Sequence, residues 1–222
     1  MSAPHSPSEL QRLYEKRFAG KSEYRTQVWR VLVNYFAKWV PPGAAVLDLG
    51  CGHCEFINNV RAGRRFGMDL NPDTLNQAAQ DVQILAQNCA QPWPLPEASL
   101  DVVFTSNFFE HLCAKSDLRA TLKQAMRCLR PGGRIIALGP NIRYLPGEYW
   151  DFYDHYLPLT ELSLGEVLTE TCFEIEAQIP RFLPYTMSRP GSQRPIWMLS
   201  LYLKLEFVWP FFGKQFLVVA KK

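Results

Sequence analysis

The segment Val46-Leu-Asp-Leu-Gly-Cys-Gly52 constrains this chain more than any other. It is a short apolar run interrupted by one acid, followed by two glycines spaced by one residue and then, over 54–61, by apolar residues at helical spacing. Such a run is the habit of a parallel strand covered on both faces by helices. Glycines between strand and helix allow a tight turn and let a ligand approach bare backbone N–H groups. Nineteen residues after Gly50, a second apolar run ends in Gly67-Met-Asp69. That interval sets a carboxylate where an open α/β sheet holds the two hydroxyls of a ribose.

The rest of the chain continues the alternation. Strand candidates fall at 45–49, 65–69, 82–86, 100–106, 134–138, 173–179 and 215–220, and helical spacing at 54–61, 72–79, 117–129 and 159–169. Two leading helices are predicted at 10–18 and 26–39, the second carrying Val28, Leu32, Tyr35, Phe36 and Trp39 on one side. Repeated βα units of this kind make a doubly wound α/β domain. With 222 residues, 47% apolar and 20% charged, one domain with a sizeable core is expected, and disordered, collagen-like and disulfide-scaffold classes drop out. The reading divides it into an N-terminal helical segment (1–42), a core (43–179), a cap insertion (180–214) and a final strand (215–222).

Six cysteines without regular pairing, and a start lacking an apolar signal region, point to a cytoplasmic chain with reduced thiols. The formal charge is +3, but residues 180–222 hold seven Lys or Arg against Glu206 alone. Three arginines interleaved with apolar residues and no nucleic-acid motif argue against DNA or RNA. Cys89, Cys113, Cys128 and Cys172 share no metal-ligand spacing with any of the four histidines, so no metal is expected.

The chain resembles the class I S-adenosylmethionine-dependent methyltransferases, a Rossmann-like family. The resemblance runs from Val46 to Ile179 and rests on four segments in order: Val46-Leu-Asp-Leu-Gly-Cys-Gly52, Gln91-Pro-Trp-Pro-Leu-Pro-Glu-Ala-Ser-Leu-Asp-Val-Val-Phe104, Phe109-Glu-His-Leu112 and Leu129-Arg-Pro-Gly-Gly-Arg134. It implies a mostly parallel seven-stranded sheet with an antiparallel last strand, and S-adenosyl-L-methionine as cofactor, leaving as S-adenosyl-L-homocysteine. It also implies that Asp48, Gly50, Cys51 and Gly52 line the methionine end, that Asp69 takes the ribose hydroxyls, that Leu70, Asn88 and Cys89 meet the adenine, and that Ser106 and Asn107 border the sulfonium. Two positions depart from the pattern: Cys54 stands for a glycine and Asn88 for an aspartate. A side chain at a position needing positive φ costs roughly 1 kcal/mol or more.

Methyl transfer from a sulfonium is an in-line displacement, so holding the nucleophile near the methyl supplies most of the catalysis. For a hydroxyl acceptor the candidate bases are His155 and His111, with Asp154 beside the first. His111 also reads as a structural histidine, and Asp151, Asp154 and His155 equally as a solvated loop. Arg25 is a candidate partner for the methionine carboxylate, its neighbours Tyr14, Phe18 and Tyr24 equally for packing. The function read from these residues is methyl transfer to oxygen of a small-molecule or glycolipid-type acceptor. The alternatives are a non-catalytic cofactor-binding scaffold and, through Cys51-Gly-His-Cys54, a thiol-disulfide oxidoreductase. A helix over 196–209, apolar nearly all round, stays open between core, homodimer face and a lid in peripheral contact with membrane lipid.

Overall fold

The computed structural model describes residues 22–185 and 193–222. The predicted helix at 10–18, with Tyr14 and Phe18, and Arg189 of the cap lie outside them. Seven strands form one sheet: β1 (Ala45–Leu49), β2 (Arg64–Met68), β3 (Val82–Leu85), β4 (Leu100–Ser106), β5 (Leu129–Pro140), β6 (Glu174–Leu183) and β7 (Gln215–Lys221). Their spatial order is β3-β2-β1-β4-β5-β7-β6. The first five run parallel, and β7 lies antiparallel between β5 and β6. The doubly wound, mostly parallel sheet with an antiparallel last strand is therefore the architecture of this chain.

The chain builds outward from β1 to β3, then returns to lay β4 on the other side of β1. That reversal opens a crevice beyond the carboxyl ends of β1 and β4, where ligands of open α/β sheets bind. Both strands are buried on two faces, and their residues split by the period of two: Leu47, Leu49 and Val103 face one cluster, and Val46, Val102 and Phe104 the other. The first cluster is closed by α4 (Lys115–Cys128), which contributes Leu118, Leu122 and Ala125 at i, i+4 and i+7, and by α5 (Glu161–Glu170), opened by a Thr160–Ser163 capping box. The second is closed by α1 (Ser22–Phe36) through Val28, Leu32, Val33 and Phe36, and by α2 (Glu55–Asn59) through Phe56 and Ile57. A short α3 (Thr74–Gln77) follows β2.

Two local expectations are corrected. Helix α4 ends at Cys128, and Arg130-Pro-Gly-Gly133 continues as the extended start of β5 rather than forming a turn. Gly132, at φ +79°, donates its N–H to Lys222 O (2.9 Å), and Lys222 donates back to Gly133 O (2.9 Å), so the pair serves the β5–β7 ladder. The helix over 196–209 is broken into α6 (Ile196–Lys204), a 3-10 turn (Glu206–Val208) and α7 (Trp209–Phe212). Pro210 supplies the reason, since in a continuous helix its ring would clash with the carbonyl of Glu206.

Candidate active site

The end of β1 makes the first half of the site. Gly50, at φ +73°, donates its N–H to Met68 O (2.8 Å), tying the turn to β2. A Cβ built on Gly50 would stand 2.3 Å from ring carbons of Phe108, so only glycine fits beneath that ring. Gly52, at φ +47°, donates its N–H to Asp69 Oδ2, and Asn71 donates its N–H to Oδ1, both at 2.8 Å. Thr74 Oγ1 completes the cradle by donating to Gly52 O at 3.0 Å. Two N–H groups leave a carboxylate with further lone pairs to offer. Burial pushes the Asp69 carboxyl up, and the N–H groups of Asn71, Gly52 and Leu70, then the His111 charge, partly restrain that rise.

Asp48 is buried one strand over. Burial pushes its carboxyl well above the usual range, against the pull of the Ile57 N–H, while the Asp69 and Glu55 charges add to the rise. Cys54 takes the left-handed conformation (φ 59°, ψ 22°) and is fully buried, its Sγ 3.8 Å from Thr74 O. Cys51 turns its side chain inward: its Sγ fills the space beside Gly67, where an added Cβ would meet it at 2.8 Å. The two sulfurs lie 3.9 Å apart as free thiols. The hydrogen bond with Cys54 and burial both push the Cys51 thiol far up, the opposite of the stabilised thiolate that a dithiol oxidoreductase needs.

Leu70 is half-buried at the rim. Asn88 folds onto its own loop, Oδ1 accepting from Ala90 N–H at 2.8 Å, which leaves one lone pair. Cys89 points into the core, where Thr121 Oγ1 donates to its sulfur (3.2 Å) and burial pushes the thiol up to about 11. Asn107 holds a positive φ of 49° at the end of β4 and donates through Nδ2 to Ser106 Oγ (3.1 Å). Arg25 forms a two-pronged ion pair with Glu55, its Nη2 2.7 Å from Oε2, so its guanidinium is committed to α2.

The second half comes from two loops stitched together. A 3-10 turn (Phe109–His111) follows β4, and another (Glu148–Asp151) lies in the loop after β5. Tyr156 and Leu157 donate their N–H groups to Glu110 O at 2.8 and 3.0 Å, and Tyr149 Oη donates to Leu157 O at 2.7 Å. His111 Nδ1 lies 2.9 Å from Asp154 O and 3.2 Å from Asp154 Oδ2. The loop is not a solvated one at these residues: Asp154 is 4% and His155 5% exposed, whereas Asp151 is exposed. His155 stacks on Phe152, lies against Tyr149, and sits 5.1 Å from the His111 ring between centroids. Burial works against the His111 imidazolium, but the Asp154 carboxylate and the Glu110 charge outweigh it and hold its pKa above the usual value. His111, Asp154 and His155 are thus brought into one cluster.

Sequence reasoning missed Phe108, which lies over Gly50, and Glu110, buried beside both histidines. The signal for Glu110 was its place directly before His111, read as motif rather than as chemistry. In the cap, two basic residues are structural. Arg181 donates to Gly213 O (2.8 Å) and lies over the Tyr144 ring, and Lys214 pairs with Glu148 at 2.8 Å. Leu203 and Trp209 are buried against Tyr35 and Phe182, while Trp197, Met198, Leu201, Phe207, Phe211 and Phe212 are exposed. No helix among the described residues is long and apolar enough to cross a membrane.

Comparison with known proteins agrees with this geometry. Residues 47–137 match the family model for the methyltransferase domain. A probable S-adenosylmethionine-dependent methyltransferase of Mycolicibacterium smegmatis is 33% identical over 142 residues, covering 60% of this chain and 53% of that protein. A malonyl-[acyl-carrier protein] O-methyltransferase of Serratia marcescens is 33% identical over 134 residues, covering 54% and 51%. The chain spans about half the length of these curated relatives. An S-adenosylmethionine-dependent methyltransferase from Archaeoglobus fulgidus superposes with a TM-score of 0.65 over 95% of this chain and 98% of that one, at 19% identity, a likeness of fold. Residues 47–137 are thus similar to the methyltransferase domain, and the chain shares its fold with an S-adenosylmethionine-dependent methyltransferase of known structure.

Proposed function

We propose that this chain transfers the methyl group of S-adenosyl-L-methionine to an oxygen of a small-molecule or glycolipid-type acceptor. The observation that carries the reading is the Asp69 carboxylate. It is fixed by the Gly52 and Asn71 N–H groups at the strand-order reversal and keeps lone pairs for the two hydroxyls of a ribose. The residues present fit that cofactor, because Gly52 carries no side chain beside the acceptor-only Asp69 carboxylate and holds that carboxylate through its N–H. When bound, the sulfonium supplies an activated methyl with its leaving group already attached.

The chain's own contribution is placement. Asp69 and the glycine turn hold the nucleoside, and Phe108, with Asn107 and Ser106, borders the side from which an acceptor approaches. His155 and His111, braced by Asp154, hydrogen-bond the acceptor oxygen and take its proton. Bringing oxygen and methyl to about 3–3.5 Å in line converts an encounter into an intramolecular step. The exposed Trp197, Leu201, Phe207, Phe211 and Phe212, with Arg194 and Lys204 among them, favour an acceptor carried on a lipid over a free metabolite.

Calorimetric titration with S-adenosyl-L-homocysteine tests the cofactor reading: micromolar binding is expected for the native chain and at least a tenfold loss for Asp69→Ala. A folded native chain that does not bind the nucleoside refutes it. Sedimentation with phosphatidylglycerol vesicles tests the lipid reading, and Phe207→Ser/Phe211→Ser should abolish co-sedimentation. Native protein left in the supernatant at low salt returns the acceptor to the soluble class.

A further inference from the structure

The two stitched loops bring together a set of donors that the transfer of a methyl group does not by itself require. Glu110, His111 and His155 each present one donor atom, and the three lie within 4.8 Å of one another. Glu110 and His155 are buried, at 3% and 5% exposure. The donors come from loops 45 residues apart in sequence, and Tyr156 and Leu157 both bond Glu110 O, so the spacing is set by backbone rather than by flexible side chains. We propose that Glu110, His111 and His155 bind one divalent transition-metal ion, with Asp154 as the outer carboxylate that orients His111.

The chemistry of the set selects the ion class. Two imidazoles and one carboxylate suit Zn²⁺, Mn²⁺, Fe²⁺ or Co²⁺ rather than Ca²⁺ or Mg²⁺, which prefer oxygen donors. Three protein donors leave coordination positions open, the mark of a reactive rather than a structural centre. Donors held at about 2.0–2.2 Å from one ion at tetrahedral angles lie about 3.3–3.6 Å apart, so closure shortens the separations by at most about 1.5 Å. With Nδ1–H donating to Asp154 O and Oδ2, the lone pair of His111 sits on Nε2, the atom left for the ion. This carboxylate–histidine pairing is the usual outer support of a metal-bound imidazole.

The ion site stands on geometry alone, but its role rests on the oxygen-methylation reading above. With the ion bound, His111 and His155 would serve as its ligands in place of the proton-accepting role given them above, and an acceptor hydroxyl in an open position would lose its proton more readily and be held as the nucleophile. The proton passes to solvent, the O–CH₃ bond forms as the S–CH₃ bond breaks, and the electron pair leaves on the thioether of S-adenosyl-L-homocysteine.

The test uses the full chain, dialysed against chelator, in a Cys51→Ser/Cys54→Ser background so that thiols do not capture the probe. Calorimetric titration with Zn²⁺ and Mn²⁺, and the visible spectrum with Co²⁺, should show one site of micromolar or tighter affinity. Glu110→Gln and His155→Gln should each weaken it at least tenfold, and Asp154→Asn by about tenfold. Affinity for S-adenosyl-L-homocysteine should stay within threefold in every variant, which also reports folding. Should Glu110→Gln fail to fold, His155→Gln and Asp154→Asn decide the matter. Absence of metal binding by a native chain that binds the nucleoside overturns the proposal and leaves the methyltransferase reading standing. Metal binding unchanged by every variant overturns it as well, since the ion then sits elsewhere. Metal binding without nucleoside binding upholds the site and removes its assigned role.

Discussion

Gly50→Ala tests the packing on which the cofactor crevice depends. Gly50 has φ +73°, a region where an L side chain costs roughly 1–2 kcal/mol. Its new Cβ would also stand 2.3 Å from Phe108 Cγ and Cδ2 and 2.7 Å from Phe108 Cβ, and displacing a packed ring costs about 1–3 kcal/mol. The loss of unfolded-state freedom on replacing glycine returns about 0.4–1 kcal/mol. The net expectation is destabilisation by about 1–5 kcal/mol, and a chain of this size loses about 2–4 °C in Tm per kcal/mol. Thermal unfolding of Gly50→Ala, Phe108→Ala and the double variant separates the two causes. Without the ring, the two 2.3 Å contacts vanish and only the 2.7 Å contact with the Cβ of residue 108 persists beside the backbone cost, so the cycle should show a coupling of about 1–2 kcal/mol. A coupling below about 0.5 kcal/mol would mean that Phe108 does not lie over the turn, and the description of the crevice mouth would be wrong.

Asp48 gives a pH dependence whose sign follows from its burial. Its pKa in the folded chain is raised well above the ordinary 3.8, so the folded state keeps a proton that the unfolded chain releases. That contribution is fully present below the ordinary value and is lost as pH rises through the raised one. Asp48→Asn should therefore raise the melting temperature of the ligand-free chain near neutral pH and flatten its decline above about pH 4; a lower melting temperature with an unchanged slope contradicts the assignment. Trp209 is buried against Phe182 and Tyr35 and donates Nε1–H to Tyr202 O (2.9 Å), so Trp209→Ala should cost about 3–5 kcal/mol by denaturant titration. Phe211→Ser, a few residues on but exposed, should change stability by no more than about 0.5 kcal/mol. Tyr149→Phe removes the hydrogen bond from Oη to Leu157 O (2.7 Å) beneath the His155 loop and should cost about 1–3 kcal/mol by the same assay.

What was legible in the chain was what depends on near neighbours. The strand 100–106 was read to the residue, because seven consecutive buried positions in a central parallel strand leave an unbroken apolar run bounded by polar residues. The glycine turn and Asp69 were legible for the same reason: φ values of +73° and +47° admit few residues other than glycine, and the acid follows at a fixed interval set by one helix and one strand. Pro210 was equally local, yet the apolar content around it outweighed the backbone rule that ends a helix there. The burial of Asp154 and His155 belongs to another class. Nothing in Trp150-Asp-Phe-Tyr-Asp-His-Tyr156 separates Asp154, 4% exposed, from Tyr153, 89% exposed. The difference comes from Glu110 and His111, which take Tyr156, Leu157 and Asp154 as partners from across the crevice. Buried polar groups are retained only where partners meet them, so the polar residues hardest to place from sequence are those whose partners lie farthest along the chain. In this protein they are the ones gathered on the acceptor side, which is why the nucleoside half of the site can be reasoned from a motif while the half that selects the acceptor has to be read from the fold.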